Sequence, residues 1–420
     1  MSKDLTSKIL ITFGFLLAYR ILSYVPVPGV DVDVIKYFFE NNSNNALGMV
    51  NMFSGNAVKR FSIIALGIMP YITASIIMEL LAATFPNIGQ MKKERDGMTK
   101  YMQIIRYATV GITLVQALGV SMGLQAMTGR GGESAIMMDM SLFVPLAAFS
   151  MLAGTMLLMW IGEQITQKGI GNGISLIIFA GIVSGIPTAI GGTINLVNSG
   201  ELNFLTVLFM FFIILVTIGV IIYVELGERR VPISYSRKTM MQNQNKRVMN
   251  YIPIKVNLSG VIPPIFASAI IMMPASLLSG STNPIAQAVT DALSFNGYLF
   301  HIFMFLGVVF FAFFYASIVF NAKDISENLK KQGGFIPGVR PGKSTENFIN
   351  EVASRLTFSG AIYLGLISTL PFLIMKILGM PFQFGGVAVL IVVQVALDSM
   401  RKIEAQVYMN KYDTLNSAGL

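Results

Sequence analysis

The sequence contains no cysteine, which excludes a disulfide framework, a thiolate nucleophile and any cysteine-ligated metal. Its single histidine, His301, leaves no partner for a histidine-based metal site or relay. Charge is scarce too. Asp, Glu, Lys and Arg make up only 12% of the 420 residues, against roughly 25% in a soluble domain, while hydrophobic residues reach 54%. That balance describes a polytopic membrane protein. No phosphate-binding loop occurs, so no nucleotide-driven step is expected from this chain alone. The acidic residues near the ends of apolar runs, Glu79, Glu163, Glu225 and Asp398, form no motif with a nucleophile or a metal partner. An enzyme is therefore not expected.

Crossing the hydrocarbon core takes about 20 mostly apolar residues in a helix. Ten runs qualify, near 9–25, 68–85, 104–127, 142–162, 173–195, 204–226, 258–280, 299–321, 356–378 and 384–400. The first follows Lys3 and Lys8 and superficially resembles a secretory signal. Arg20 interrupts it, however, and PVPG stands where a cleavage site needs small residues, so it is read as a retained span. Of the 30 Lys and Arg, 24 fall in the segments that share a side with the N-terminus. The excess of basic residues on the inner side then predicts cytoplasmic N- and C-termini.

One phrase occurs twice. GIMPYITASIIM starts at Gly67 and GVIPPIFASAII at Gly260, agreeing at six of twelve positions: Gly67/Gly260, Pro70/Pro263, Ile72/Ile265, Ala74/Ala267, Ser75/Ser268 and Ile77/Ile270. Five spans separate the copies, so they cross in opposite directions. This predicts an all-α fold of two inverted halves of five spans, 1–196 and 197–420, with a pathway at their interface. Each copy carries proline near the start of its span, where a carbonyl left without its amide partner must be satisfied by neighbours or water. The Ala-Ser pair lets another backbone approach closely. Facing walls of a path and ordinary helix packing both account for these features.

The stretch NMFSGNAVKRFSIIALG, 51–67, cannot span. Lys59 and Arg60 sit at its middle, and such a charge at a helix centre costs about 2.5–3.5 kcal/mol. It is also too apolar for a simple loop. A re-entrant half-helix in a protein-lined cavity fits; an amphipathic segment on the outer interface is the alternative. Two long loops, about 227–257 and 322–355, face the basic side. Alternation in RRVPISYS and VMNYIPIKV predicts two short strands in the first. In GGFIPGVRPG of the second, Gly338 and Pro341 bracket Val339 and Arg340, which places Arg340 at a loop tip. Such tips suit phosphate or carboxylate partners; charges that merely orient the chain are the plainer reading of any single residue here.

Two transport classes remain. An inverted-repeat secondary transporter of a small solute usually keeps ionisable residues near mid-membrane. Here the span centres are almost bare; Arg20 lies nearest the middle, and its long stem allows it to snorkel. A passive path closed by an apolar constriction needs no such residues, because narrow hydrophobic passages exclude water. That suits a conduit for chemically diverse cargo such as unfolded polypeptide.

The runs YVPVPGV, NMFSGNAVKRFSIIALGIMPYITASII, MWIGEQITQKGIGNGISLIIFAGIVSG, GVIPPIFASAII, NLKKQGGFIPGVRPG and PFQFGGVAVLIVV give the chain a resemblance to the SecY family, central subunit of the bacterial protein-conducting translocon, over essentially its whole length. The resemblance implies an hourglass channel in the plasma membrane. Its waist would be a ring of Ile72, Ile76, Ile178, Ile182, Ile265 and Ile391. Asn51, Met52, Phe53, Ser54, Gly55, Lys59 and Arg60 would belong to a plug. The second and seventh spans would form a lateral gate for signal sequences and membrane segments entering lipid, with Ser75, Ile77, Ser268, Ile271 and Met273 along it. Many relatives carry an aromatic at the Met273 position, so gate tightness is open. Arg340, Lys246 and Arg247 would dock the ribosome, including its RNA, and the SecA motor ATPase. SecE and SecG are the implied companion subunits, nascent polypeptides the cargo, and no cofactor or metal is expected.

Overall fold

The computed structural model describes residues 3–41, 54–126, 133–200, 202–235, 251–278, 297–377 and 386–417, with 283, 288–289 and 292–293 between. Helix predominates among the described residues. In order come α1 (Lys3–Leu22), α2 (Val32–Asn41), α3 (Met69–Thr84), α4 (Pro86–Lys93), α5 (Arg95–Gly123), α6 (Met140–Lys168), α7 (Gly173–Asn198) and α8 (Phe204–Leu226). After them follow α9 (Ile262–Leu278), α10 (Tyr298–Val319), α11 (Ala322–Lys331), α12 (Lys343–Ile377) and α13 (Gly386–Ser417).

Each of the ten expected spans has a helix at its place. Among the described residues, seven helical stretches are long and apolar enough to cross a membrane by themselves, and α3 with α4, bent by 116°, would make an eighth. The bend falls at Phe85 and Pro86, since the residue before proline is driven out of helical geometry; Phe85 is extended, with φ −106° and ψ 113°. The other two expected spans are less apolar or shorter: α9 has 17 residues, and α13 carries Asp398, Arg401 and Lys402 in its first five turns. Short α2, α4 and α11 join the spans.

Helix packing repeats itself along the chain. Among α1, α3, α5, α6 and α7, the pairs in contact are α3–α5, α3–α6, α5–α6, α6–α7, α1–α6 and α1–α7. Substituting α8, α9, α10, α12 and α13 in that order gives α9–α10, α9–α12, α10–α12, α12–α13, α8–α12 and α8–α13, and every one is also a contact. The two sets meet along two seams. On one, α9 lies against α3 and α5; on the other, α13 lies against α7 and α1.

The two long loops carry the strands. Strand β1 (Glu228–Pro232) pairs antiparallel with β3 (Tyr251–Lys255), the hairpin that the alternating pattern predicts. Strand β2 (Ser234–Tyr235) pairs instead with β4 (Gly334–Phe335), tying the first loop to the second. Val231 and Ile254 from the hairpin bury against Ala322, Leu329, Ile336 and Ile349 from the second loop and the start of α12. The loops therefore share a small core of their own.

Candidate functional site

The repeated phrase has the same backbone in both copies. Gly67 and Gly260 are left-handed, with φ 58° and 66°, and each stands two positions before the first residue of its helix, so Pro70 and Pro263 are both the second helical residue. Amides of the first turn have no intrahelical acceptor, so proline there sacrifices no hydrogen bond. The expectation of a carbonyl stranded by these prolines is corrected accordingly. Side chains match as well: Ile72 and Ile265 are buried, whereas Ile77 and Ile270 are each 41% exposed.

The six isoleucines are all interior, with relative exposures from 0% at Ile391 to 7% at Ile265, and belong to one hydrophobic cluster. They come from α3, α7, α9 and α13, helices that meet at the two seams. Ile72 and Ile76, like Ile178 and Ile182, are four residues apart and so share one helix face. The start of α7 is set by Asn172, whose side chain accepts from the amides of Ile174 and Ser175 at 3.1 and 3.4 Å. A constriction of such side chains offers no hydrogen bond to water or ions and closes by exclusion.

Residues 54–68 form consecutive tight turns, not the expected half-helix. The reason is local: Gly55 (φ 68°), Asn56 (φ 66°), Phe61 (φ 44°) and Gly67 (φ 58°) are left-handed, and no right-handed helix accommodates them. The segment is nonetheless seated within protein, not laid on an interface. Ala57, Val58, Phe61 and Ile64 are buried. Val58 and Phe61 join one apolar cluster with Phe143 and Met151 of α6, while Ala57 and Ile64 join the cluster that holds the isoleucines. The YVPVPGV run lies beside it: the Val27 amide donates to the Phe61 carbonyl at 2.9 Å, and the Ile63 amide donates to the Val25 carbonyl at 3.0 Å. A side chain at Gly154 on α6 would collide with the Ile63 carbonyl, so only glycine permits this approach. Arg60 lies over the Tyr24 ring, 3.8 Å from its centroid. Asn51, Met52 and Phe53 are outside the described residues.

Arg20 does not act as a snorkelling charge. Its Nη1 donates to the Gly55 carbonyl and to Ser184 Oγ of α7, each at 3.0 Å, and Nη2 donates to Tyr24 Oη at 3.2 Å. Beside it, the Tyr19 hydroxyl donates to the Ser54 carbonyl at 3.2 Å.

Among the residues expected along a gate, Ser268 and Ile271 on α9 are buried, Ser75 on α3 is half-buried, and Ile77 is exposed; α3 and α9 are in contact. Ser268 spends its hydroxyl on the Ile265 carbonyl, 2.8 Å away. The Met273 side chain is outside the described set, as are Lys246 and Arg247. Arg340 is exposed in a turn held by the Val339 amide on the Ile336 carbonyl at 3.0 Å and by Thr345 Oγ1 on the Arg340 carbonyl at 2.9 Å. Left-handed Gly338 and Gly342 flank it.

Sequence reasoning missed a polar knot at the foot of α9. Asn257 Nδ2 donates to Glu225 Oε1 at 2.6 Å and to the Gly260 carbonyl at 3.2 Å. Its Oδ1 accepts from Ser259 Oγ at 3.1 Å and the Gly260 amide at 3.0 Å. Arg401 of α13 donates to the Glu225 carbonyl at 3.1 Å. Only the Asn-x-x-Gly turn signature pointed there. Glu163 is likewise paired, bidentate with Arg106 at 2.8 and 3.0 Å, and Glu79 lies 4.0 Å from Lys92. These carboxylates hold helices together.

The family model described as SecY matches residues 62–400. The chain is 66% identical to the protein translocase subunit SecY of Helicobacter pylori strain 26695, covering all of both chains. To that of Escherichia coli K12 it is 39% identical, over 98% of this chain and 94% of the other. A solved structure, described by its plug domain stabilising the closed state of the SecY translocation channel, superposes with a TM-score of 0.68 at 20% identity, over 96% of this chain and 93% of that one. Matched along its whole length by relatives with which it shares up to two thirds of its residues, the chain belongs to the SecY family.

Proposed function

We propose that this multi-pass protein of a bacterial membrane is a protein-conducting channel, moving unfolded polypeptide across the bilayer and releasing apolar segments sideways into lipid. The observation that carries the reading is the burial of the six isoleucines in one cluster fed by both seams. The matched contacts of the two helix sets support inverted halves, 1–196 and 197–420. A purely aliphatic waist suits cargo of any sequence, because it binds none in particular. The segment at 54–68, seated in protein beside that waist, suits a displaceable plug. The α3–α9 seam, with Ser268 buried on α9, suits a lateral gate. The fused loops, with Arg340 exposed, suit a docking platform for a ribosome and for the SecA motor, which would supply the energy; SecE and SecG are the expected companion subunits. With the basic loops inside, both termini are cytoplasmic.

Reconstitution tests the reading against a solute transporter. Vesicles holding the chain with SecE, SecG, SecA and ATP are expected to protect an unfolded precursor polypeptide from added protease. Without these partners they are expected to show no saturable, ion-coupled uptake of small solutes. Saturable uptake without protection of the precursor would contradict it.

A further inference from the structure

Arg20 is the one charged residue in the first apolar run, 9–25, and among the described residues it makes no ion pair. Its guanidinium instead joins three elements. It donates to the Gly55 carbonyl of the 54–68 segment, to Ser184 Oγ of α7, and to Ser23 Oγ and Tyr24 Oη at the end of α1. The Ser184 hydroxyl donates its own hydrogen bond to the Gly181 carbonyl at 2.7 Å, which leaves its oxygen free to accept from Arg20. Gly55 fits tightly at this point: a side chain there would stand 3.0 Å from Gly181, from Ser184 Oγ and from the Tyr19 hydroxyl. Gly181 and Ser184 flank Ile182, so the segment touches α7 beside an isoleucine of the proposed waist.

We infer that Arg20 is the latch of this segment: a positioning residue that pins Gly55 to α7 while the channel is shut and lets go when the segment leaves. This rests on the channel reading above. Every acceptor in the latch is neutral, a carbonyl or a hydroxyl, so water or a passing chain can replace each bond like for like. A buried ion pair would resist such exchange, because breaking one strands an uncompensated charge. A second feature favours release. The Arg20 and Arg60 guanidinium carbons lie 5.0 and 3.8 Å from the centroid of the same Tyr24 ring. Arg60 rides on the segment and Arg20 on α1, so like charges are gathered where the two must part, and the ring face offsets only part of their repulsion.

The test is amide hydrogen exchange on the full chain in lipid nanodiscs, read at Ser62 and Ile63, whose amides bond the Ala57 and Val25 carbonyls. Arg20→Ala is expected to speed their exchange at least about tenfold, as loss of charged hydrogen bonds predicts, while α6 keeps its rate. Arg20→Lys, whose ammonium lacks the planar fork, should fall between. If Arg20→Ala loosens α6 as much as the segment, Ser184→Ala decides, since it removes one acceptor and keeps the charge. It should speed the same two amides by about threefold and leave α6 alone. Unchanged exchange at Ser62 and Ile63 in Ser184→Ala, or in an Arg20→Ala protein whose α6 is intact, overturns the latch. Because exchange needs no cargo, a chain that fails to carry polypeptide would refute the channel reading alone.

Discussion

Single side chains in this protein are settled by partners that are remote in sequence. Arg20 bonds residues 35 and 164 positions away, so its own run could only describe a long cation near an interface. The six isoleucines came from the family resemblance, since composition alone does not single them out among so many aliphatic residues; all six are buried. Asn257 shows the opposite case, a polar residue whose four hydrogen bonds bind α8 to the foot of α9. Asn257→Ala leaves the Glu225 carboxylate, 6% exposed, without its amide donor. The expected cost is about 1–3 kcal/mol, seen as a lowered unfolding midpoint in detergent. Asn257→Asp should be worse, since it sets two carboxylates together. A midpoint unchanged in both variants would show that the knot contributes nothing.

Whole elements were legible where a local rule decides them. Glycine followed by proline marked both α3 and α9, and the structure gives each the same left-handed glycine and first-turn proline. Residues 54–68 misled because left-handed Phe61 has no sequence signature, its ring lying against Phe143 of α6, whereas Ser-Gly-Asn at 54–56 was a turn signal in plain sight. The β2–β4 pair was equally invisible, because two-residue strands show no period and lie in separate loops. Their joint can be broken selectively. A side chain at Gly334 would stand 2.8 Å from Leu329 Cδ1 and 3.0 Å from Tyr235 Cε1. Gly334→Val is therefore expected to part the loops. Motor-driven secretion is expected to fall several-fold in this variant, and in Arg340→Glu, while the chain still copurifies with SecE. Undiminished secretion would mean that the loops act separately.

At the scale of the molecule, ten apolar runs and one repeated phrase were enough to anticipate the helix order, because a bilayer demands length and apolarity of every span. Composition and period did not show the seams, which depend on which helices meet across the sets; only the resemblance, by pairing the second and seventh spans as a gate, pointed to the α3–α9 one. They matter most for the proposed function: the helices that meet there supply all six isoleucines, so parting the sets would widen the proposed waist. The most direct measurement uses the absence of native cysteine. A single cysteine at Ile265 is placed in the reconstituted complex, and a polypeptide carrying one cysteine is arrested in transit. A disulfide between the two is predicted, together with one from Ile391→Cys on the other seam and none from Phe209→Cys, exposed on the outside of α8. Adducts elsewhere on the protein, with none at 265 or 391, would contradict the account.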